Sequence, residues 1–492
     1  MCLQTFSVGN LSTPIIIMPR ARQTPLQRER KRIALGLSRA WPITRTNRRP
    51  RGLNNAGNYC YRHAALQCLM HLPRFLNWIR KHNEPGAHWP CSATDPNASL
   101  NAKESEDPIL VNMGELALGC FSCLLKTLVN AYWGDVSIGT TAERLPLPFD
   151  WSHPAIHRLH RLVERKFCFE PEGTAAACKS RSLEGVRWFR RNARRSNMTG
   201  QQDAEEFISL VFNGIESSID MNERHGPRLK REFDALFTLS ETFNTTCLNC
   251  ERSVIREGTH GLGLRFDVLD VLDGGNDTVY EGLERHRFAT YFSDPANIFP
   301  CPHAEPCDAP EGVAAATERT IDAAPEYLHL LLNRTDMRRK LTTRVDIPDL
   351  LDLTPHITVP EGARAVPLRY RLVNGVFHSG GRVQSGHYVA GVTGAPSLGR
   401  SRKVRPTADG EGRESAAPYK YFWVNDSSVT GWSGGAGVNV IATDPVVRGS
   451  AFNASFLFYE RIHQDAKEPE VVEDTGPRRS RRLREKQRGE DV

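Results

Sequence analysis

"GLNNAGNYCYRHAALQCLMHLP", residues 52–73, sets two glycines and three asparagines ahead of one cysteine and follows it at once with an apolar helical pattern. A structural thiol needs no such setting, whereas a reactive one does. Glycine lets the chain turn tightly, and a sulfur placed where the turn meets the helix faces the positive end of the helix dipole. An ordinary thiol, with pKa about 8.5, is only a few per cent thiolate at neutral pH; a helix start and a neighbouring imidazole bring it to about 3.5–7.5. Cys60 is therefore the candidate nucleophile. Asn55, five residues upstream, carries an amide donor suited to an oxyanion formed beside the sulfur, a contact worth about 3–4 kcal/mol in a transition state.

The base comes far downstream. "VFHSGGRVQSGHYVAGV" (376–392) places His378 and His387 in a glycine-rich connection between strand-like runs, and His387 opens the second run. Further on, "YFWVNDSSV" (421–429) ends a strand with Asn425 and Asp426, either of which can fix an imidazole's tautomer and orientation. Cys, His and Asn/Asp in that order follow the logic of a thiol peptidase.

The pattern along the chain is helical first and strand-rich second. Residues 61–82 carry Ala65, Cys68, Leu69, Leu72 and Leu76 at helical spacing, and Pro73 predicts a break there. Residues 84–108 read as a loop. Helical pattern returns over 113–133, 156–166 and 183–195, and again after "MTGQQDAEEF", where Thr199 or Asp203 is a candidate cap. From Phe233, runs such as "FDALFTLSETF", "EYLHLLLN" and "NASFLFYERI" are strand-like, with one helical stretch over 278–292. Residues 394–418 read as a disordered insertion. The fold class is α+β.

These residues resemble the ubiquitin-specific protease family of deubiquitinating thiol peptidases. Residues 52–69 are similar to its Cys box, "HSGGRVQSGHYVAGV" to its His box, and "YFWVNDSSV" to the family's next segment. "TGQQDAEEFISLVFNGIE" (199–216) resembles its QQDA helix and "APEYLHLLLNR" (324–334) a family strand. The five matches stand in family order across about 52–462. The resemblance implies a papain-like cysteine peptidase, with a helical thumb carrying Cys60, a β-rich palm carrying His387 and Asn425, and a β finger over about 234–330.

It also implies hydrolysis of the bond after ubiquitin's C-terminal Gly, with ubiquitin and ubiquitinated proteins as partners. Asp203 and Glu206 would face ubiquitin's Arg-containing tail. The alternative is a catalytically weak or inactive ubiquitin-binding module. Several departures bear on that choice: Tyr59 replaces the usual Thr, His63 the usual Asn, Tyr421 and Val424 the usual Trp and Phe, and "LNRT" the common "LKRF". None removes a reacting group, and a bulky Tyr59 is expected to narrow the channel.

Cys247 and Cys250 have the spacing of two zinc ligands on one knuckle. "CPHAEPC" supplies Cys301 and Cys307, with His303 between them. Relatives hold a structural zinc with two such half-sites, usually both C-x-x-C. The expected set here is Cys247, Cys250, Cys301 and Cys307; His303 in place of one ligand, or metal-free thiols, stay open. The chemistry itself needs no cofactor. Cys68, Cys120 and Cys123, among apolar neighbours, read as core thiols.

Twelve Cys in 492 residues are too few for a disulfide scaffold and suit a reducing intracellular compartment, cytoplasmic or nuclear. The longest apolar run, Ile15–Met18, is far short of the roughly 20 residues of a membrane span. Of the net charge of +7, residues 1–51 hold +10, with eleven Arg or Lys against Glu29 alone, so the rest carries about −3. The expected organisation is a disordered basic arm over 1–51, a catalytic domain over 52–462 and a disordered tail over 463–492. Nuclear import, organellar transit and weak nucleic-acid contact are the other readings of the basic ends, and nucleic acid is not expected as a main partner.

Overall fold

The structure, a computed structural model, describes residues 21–43, 49–55, 59–82, 121–134, 203–220, 225–269, 277–291, 301, 307, 314–336, 339–382, 385–395, 420–431 and 452–463. The helices expected over 156–166 and 183–195, the 84–108 loop, Thr199, Gly57, Cys120, the side chain of Cys123, His303, the insertion beyond Ala395 and both extreme ends lie outside those residues. The chain divides into two units after Arg461. The larger unit, Met1–Arg461, holds the helices and sheets that position the site.

The first element, α1 (Pro25–Gly36), falls inside the stretch expected to be a solvated arm. Thr24 and Gln27 form a reciprocal capping box, and Pro25 sits where the first helical N–H has no partner to lose. Gln27, Arg30 and Ala34 form the buried side. Arg30 donates to Ser240 Oγ at 2.7 Å, to the Ala323 carbonyl at 3.4 Å and to the Thr238 carbonyl. Gln27 Nε2 donates to the Thr358 carbonyl at 3.0 Å. Residues 21–43 are therefore part of the folded body. Basic composition suggested solvation because Arg30's partners, two backbone carbonyls and a hydroxyl, lie 208 to 293 residues away.

Pro73 divides the next helical pattern as expected, into α2 (Cys60–Leu69) and α3 (Pro73–Ile79). All ten residues of α2 are buried, the signature of a helix packed on every side. Then come α4 (Phe121–Trp133), α5 (Ala204–Asp220) and α6 (Gly226–Phe237). The strand expected from Phe233 is corrected: Leu229, Phe233, Leu236 and Phe237 share the buried side of α6 at helical period, and the strand begins only at Leu239. The 278–292 pattern is shorter than expected, giving α7 (Val279–Arg287) and then a strand.

Strands β1 (Leu239–Cys247) and β2 (Ser253–Gly261) open a four-stranded sheet completed by β5 (Phe288–Tyr291) and β6 (Ala315–Ala323), in the order β2-β1-β6-β5. Between them in sequence come β3 (Leu264–Asp267) and the short β4 (Asp277–Thr278). The rest are β7 (Tyr327–Asn333), β8 (Thr335–Asp336), β9 (Arg339–Lys340), β10 (Val345–Asp346), β11 (Leu350–Asp352), β12 (Arg369–Arg382), β13 (Ser385–Thr393), β14 (Tyr421–Asn425), β15 (Ser428–Gly431) and β16 (Phe452–Ile462). A larger sheet runs β15-β14-β13-β12-β16-β7-β3, with β11 on β12.

Both faces of this sheet are covered. Ala390, Val392, Phe422, Val424, Phe456 and Phe458 join the helices in one core. Their strand neighbours Val389, Tyr421, Trp423, Leu457 and Tyr459 join the other. The period-two alternation fixes register, since a one-residue slip would exchange the two cores.

Replacing Arg30 by Leu is expected to lower the unfolding free energy by about 2–3 kcal/mol, because three buried acceptors lose a charged donor. A urea midpoint equal to that of the wild type would contradict this account of α1.

Candidate active site

Cys60 is the first residue of α2 and is 3% exposed. The turn before it is held by Asn55, whose Oδ1 accepts from Tyr59 N at 3.3 Å, and the helix closes with His63 N–H on the Tyr59 carbonyl at 3.0 Å. Tyr59 does not stand alone: the Arg62 guanidinium lies 4.8 Å from its ring centroid and 5.2 Å from that of Tyr61. Cation–π stacking of this kind ties the bulky residue beside the thiol to its own helix.

His387 opens β13. The register Ala390↔Val424 makes His387 a diagonal neighbour of Asn425, two residues along on the same face. His387 Nε2 meets Asn425 Oδ1 at 2.6 Å. An amide oxygen only accepts, so Nε2 carries the proton and Nδ1 is left for the sulfur. The imidazole is raised to about 9, first by its hydrogen bond with Cys60, then by that with Asn425 and by the charges of Cys60 and Asp426, against desolvation. It is thereby held charged at neutral pH, the partner a thiolate needs.

His378, the other candidate in that segment, has a different setting. It is buried, its ring lies 4.4 Å from that of Tyr388, and its Nδ1 is hydrogen-bonded to Lys340. Burial, Lys340 and His387 push it down to about 3, so it stays neutral. A Cβ on Gly386, whose φ is +154°, would strike this ring and the Ser379 carbonyl. The glycine before His387 is required by close packing.

Asp426 occupies the two-residue turn between β14 and β15, with φ +46°. Its Oδ2 accepts from Asn55 Nδ2 at 3.1 Å and stands 3.9 Å from His387 Nε2. Its Oδ1 meets His63 Nδ1 at 3.4 Å. Its carbonyl accepts from Leu53 N–H at 2.8 Å, and any Cβ at Gly52 would overlap the Ser427 backbone. Of the two candidate orienters, Asn425 is thus the one in hydrogen-bond contact with His387. Asp426 instead joins Asn55 and His63 beside it. The sequence marks His63 only as a departure from the family pattern and does not single out Arg62 or Lys340. His63 was findable, since a residue three after Cys60 shares its side of the helix.

Asp203 caps α5, its Oδ1 accepting from Glu205 N at 2.7 Å, and its Oδ2 accepts from Tyr388 OH at 3.5 Å. The start of α5 therefore adjoins the residue after His387. Both Asp203 and Glu206 are exposed.

At the far end of β1, Cys247, Cys250, Cys301 and Cys307 bring their sulfurs within 4.8 Å of one another. The pairs Cys247/Cys307 and Cys250/Cys301 are each 3.8 Å apart, and none of the four is in a disulfide. A tetrahedral ion with bonds of about 2.3 Å to sulfur sets ligand atoms about 3.8 Å apart, so the donor set fits a metal of that type. Asn249 Nδ2 donates to Cys307 Sγ at 3.4 Å.

The sequence matches the family model described as ubiquitin carboxyl-terminal hydrolase over residues 51–459. It is 22% identical over 382 residues to ubiquitin carboxyl-terminal hydrolase 36 of Drosophila melanogaster, covering 76% of this chain and 29% of that protein. The Drosophila mojavensis protein of that name is 25% identical over 382 residues, covering 76% of this chain and 25% of its own. The chain thus spans less than a third of these relatives. Among solved structures, the SAGA Ubp8/Sgf11/Sus1/Sgf73 DUB module bound to ubiquitin aldehyde is similar with a TM-score of 0.50 and 19% identity, over 85% of this chain and 71% of that one. A SAGA DUB module bound to monoubiquitin gives a TM-score of 0.50 and 19% identity, over 84% and 69%. These two likenesses speak for the fold.

Ring NMR is expected to find His387 titrating near pH 9. The folded state holds this proton more tightly than an unfolded imidazole of about 6.5. Its contribution to stability is therefore complete below about 6.5 and is lost as pH rises through about 9. Cys60→Ala removes the largest cause and lowers the value; an unchanged titration in that variant contradicts the pairing.

Proposed function

The chain belongs to the ubiquitin carboxyl-terminal hydrolase family, and on that premise we propose that it is a cysteine-type deubiquitinase acting on ubiquitinated proteins. The observation that carries the reading is the chain of contacts Cys60–His387–Asn425, with the imidazole held charged beside the thiol.

The Cys60 thiolate attacks the carbonyl carbon of ubiquitin's C-terminal Gly. The negative oxygen of the tetrahedral intermediate is met by the Asn55 amide, which already lies at the turn before Cys60. As the intermediate collapses, the C–N bond breaks and His387 gives its Nδ1 proton to the leaving amine. A thioester on Cys60 remains. Neutral His387 then takes a proton from water, whose oxygen attacks the thioester carbonyl, and the C–S bond breaks to release ubiquitin and restore the ion pair. Asn425 holds the ring in one tautomer throughout. Asp203 and Glu206, exposed at the start of α5, would receive the basic tail of ubiquitin.

The four-cysteine cluster is assigned a structural zinc held by Cys247, Cys250, Cys301 and Cys307. It would brace the end of the four-stranded sheet and take no part in the reaction. No helix among the described residues is long and apolar enough to cross a membrane. Placement in the cytoplasm or nucleus is part of the proposal, supported by the cysteines among the described residues that form no disulfide.

Incubation with ubiquitin bearing a C-terminal electrophile is expected to add the mass of one ubiquitin. The adduct should vanish in Cys60→Ala and form about 10³-fold more slowly or worse in His387→Ala. A wild type that binds ubiquitin but is never labelled returns the protein to the inactive-module reading. Elemental analysis should find one zinc per chain and its loss in Cys247→Ser; a well-folded, metal-free wild type refutes the zinc assignment.

A further inference from the structure

His63 lies on α2 one turn after Cys60, 2% exposed, where the resembling family usually has Asn. Burial is the largest influence on it and lowers its proton affinity, outweighing the nearby Asp426 carboxylate. A neutral imidazole donates from only one nitrogen, and the nitrogen facing Asp426 Oδ1 is Nδ1, at 3.4 Å. A carboxylate only accepts, so Nδ1 carries the proton. The Nδ2 of an asparagine side chain branches from Cγ as histidine's Nδ1 does, so either residue at position 63 can present a donor at that point.

The other oxygen of Asp426 holds the Asn55 amide at 3.1 Å and stands 3.9 Å from His387 Nε2. Asp426 itself sits in a left-handed conformation that side chains rarely adopt. A carboxylate on such a turn has two ways to be fixed, through its backbone and through its oxygens. The backbone is held by Leu53 N–H, and His63 and Asn55 hold one oxygen each.

We propose that His63 is a positioning residue for the reaction, donating from Nδ1 to Asp426 and thereby fixing the carboxylate that orients the Asn55 amide toward the developing oxyanion. The inference rests on the reading of Cys60 and His387 as the reacting pair. It adds a second chain of contacts, His63–Asp426–Asn55, beside Cys60–His387–Asn425. The two chains approach each other at 3.9 Å, between Asp426 and His387.

The test uses turnover of a ubiquitin C-terminal amide substrate, with active sites counted by the ubiquitin electrophile. His63→Phe keeps a ring but no donor, and it should lower kcat about tenfold while leaving KM within about twofold, the loss of one hydrogen bond to a charged group. His63→Asn should keep kcat within about twofold of wild type. In an Asp426→Ala background His63→Phe should cost nothing further. A residue needed only for packing would instead reduce the fraction of active sites, leave kcat per site unchanged and give effects that multiply with Asp426→Ala. Either result overturns the proposal. Should His63→Phe fail to fold, ¹⁵N NMR of the wild-type ring decides: a neutral Nδ1–H tautomer supports the donor role, and an Nε2–H tautomer or a charged ring refutes it. Turnover that survives Cys60→Ala would refute the underlying reading instead, whatever His63 does.

Discussion

One backbone hydrogen bond, from Leu53 N–H to the Asp426 carbonyl at 2.8 Å, joins the segment that ends in Cys60 to the turn just after Asn425. The approach is so close that Gly52 admits no Cβ against Ser427. The thiol belongs to a helix and its partners to the strand-rich half, so their separation is set by this junction rather than by either half alone. Chemistry between them tolerates little slack, since displacing a reacting group by about 1 Å costs on the order of 10²-fold in rate. A side-chain contact would yield under strain. A backbone bond beside a glycine that cannot be widened leaves the two segments one spacing.

The large sheet supplies the other half of the placement. Its alternate residues pack into two separate cores, so β13 and β14 cannot slip without burying the wrong side chains. With the register locked at Ala390↔Val424, His387 and Asn425 fall on one face as diagonal neighbours. Gly386 finishes the arrangement. Its bare Cα lets the His378 ring pack against the strand start, where Lys340 holds it, and this neutral imidazole supports the residue beside the charged one. Two histidines nine residues apart thus have opposite proton affinities, for reasons of burial and charge that their shared motif does not carry.

What could be read in advance is what depends on local chemistry. A glycine-rich turn before a thiol, a proline that breaks a helix, a C-x-x-C knuckle and a histidine near a strand start each carry their reason within a few residues. What could not be read depends on distant partners. The basic segment over 21–43 looked solvated, yet Arg30 is satisfied by carbonyls at Thr238 and Ala323, and Arg39 pairs with Glu460 at 2.6 Å. Phe233–Phe237 looked like a strand because a short apolar run fits either period; the tertiary packing of α6 beside α1 decides for the helix. Tyr59 has its stacking partner, Arg62, three residues on, a pairing that no motif announces. Departures from a motif are better weighed in groups than singly, since a change at one position is often answered by its neighbour.

The end of β14 and the turn after it show why two adjacent polar residues, Asn425 and Asp426, need not compete. Asn425 contacts His387 through a neutral oxygen at 2.6 Å, which fixes the tautomer without offering the ring's proton a place to go. The Asp426 carboxylate stands 3.9 Å away, near enough to favour the imidazolium and beyond hydrogen-bond reach of its proton. Exchanging the two would bring a carboxylate into direct contact and leave Asn55 facing a weaker acceptor. The left-handed backbone at Asp426 enforces the division, because it turns the second side chain off the line of β14 and toward the helix that carries Cys60. On the proposed mechanism, orientation of the base and orientation of the oxyanion donor are then set by separate residues, the last of β14 and the first of the turn after it, and each can be lost without the other.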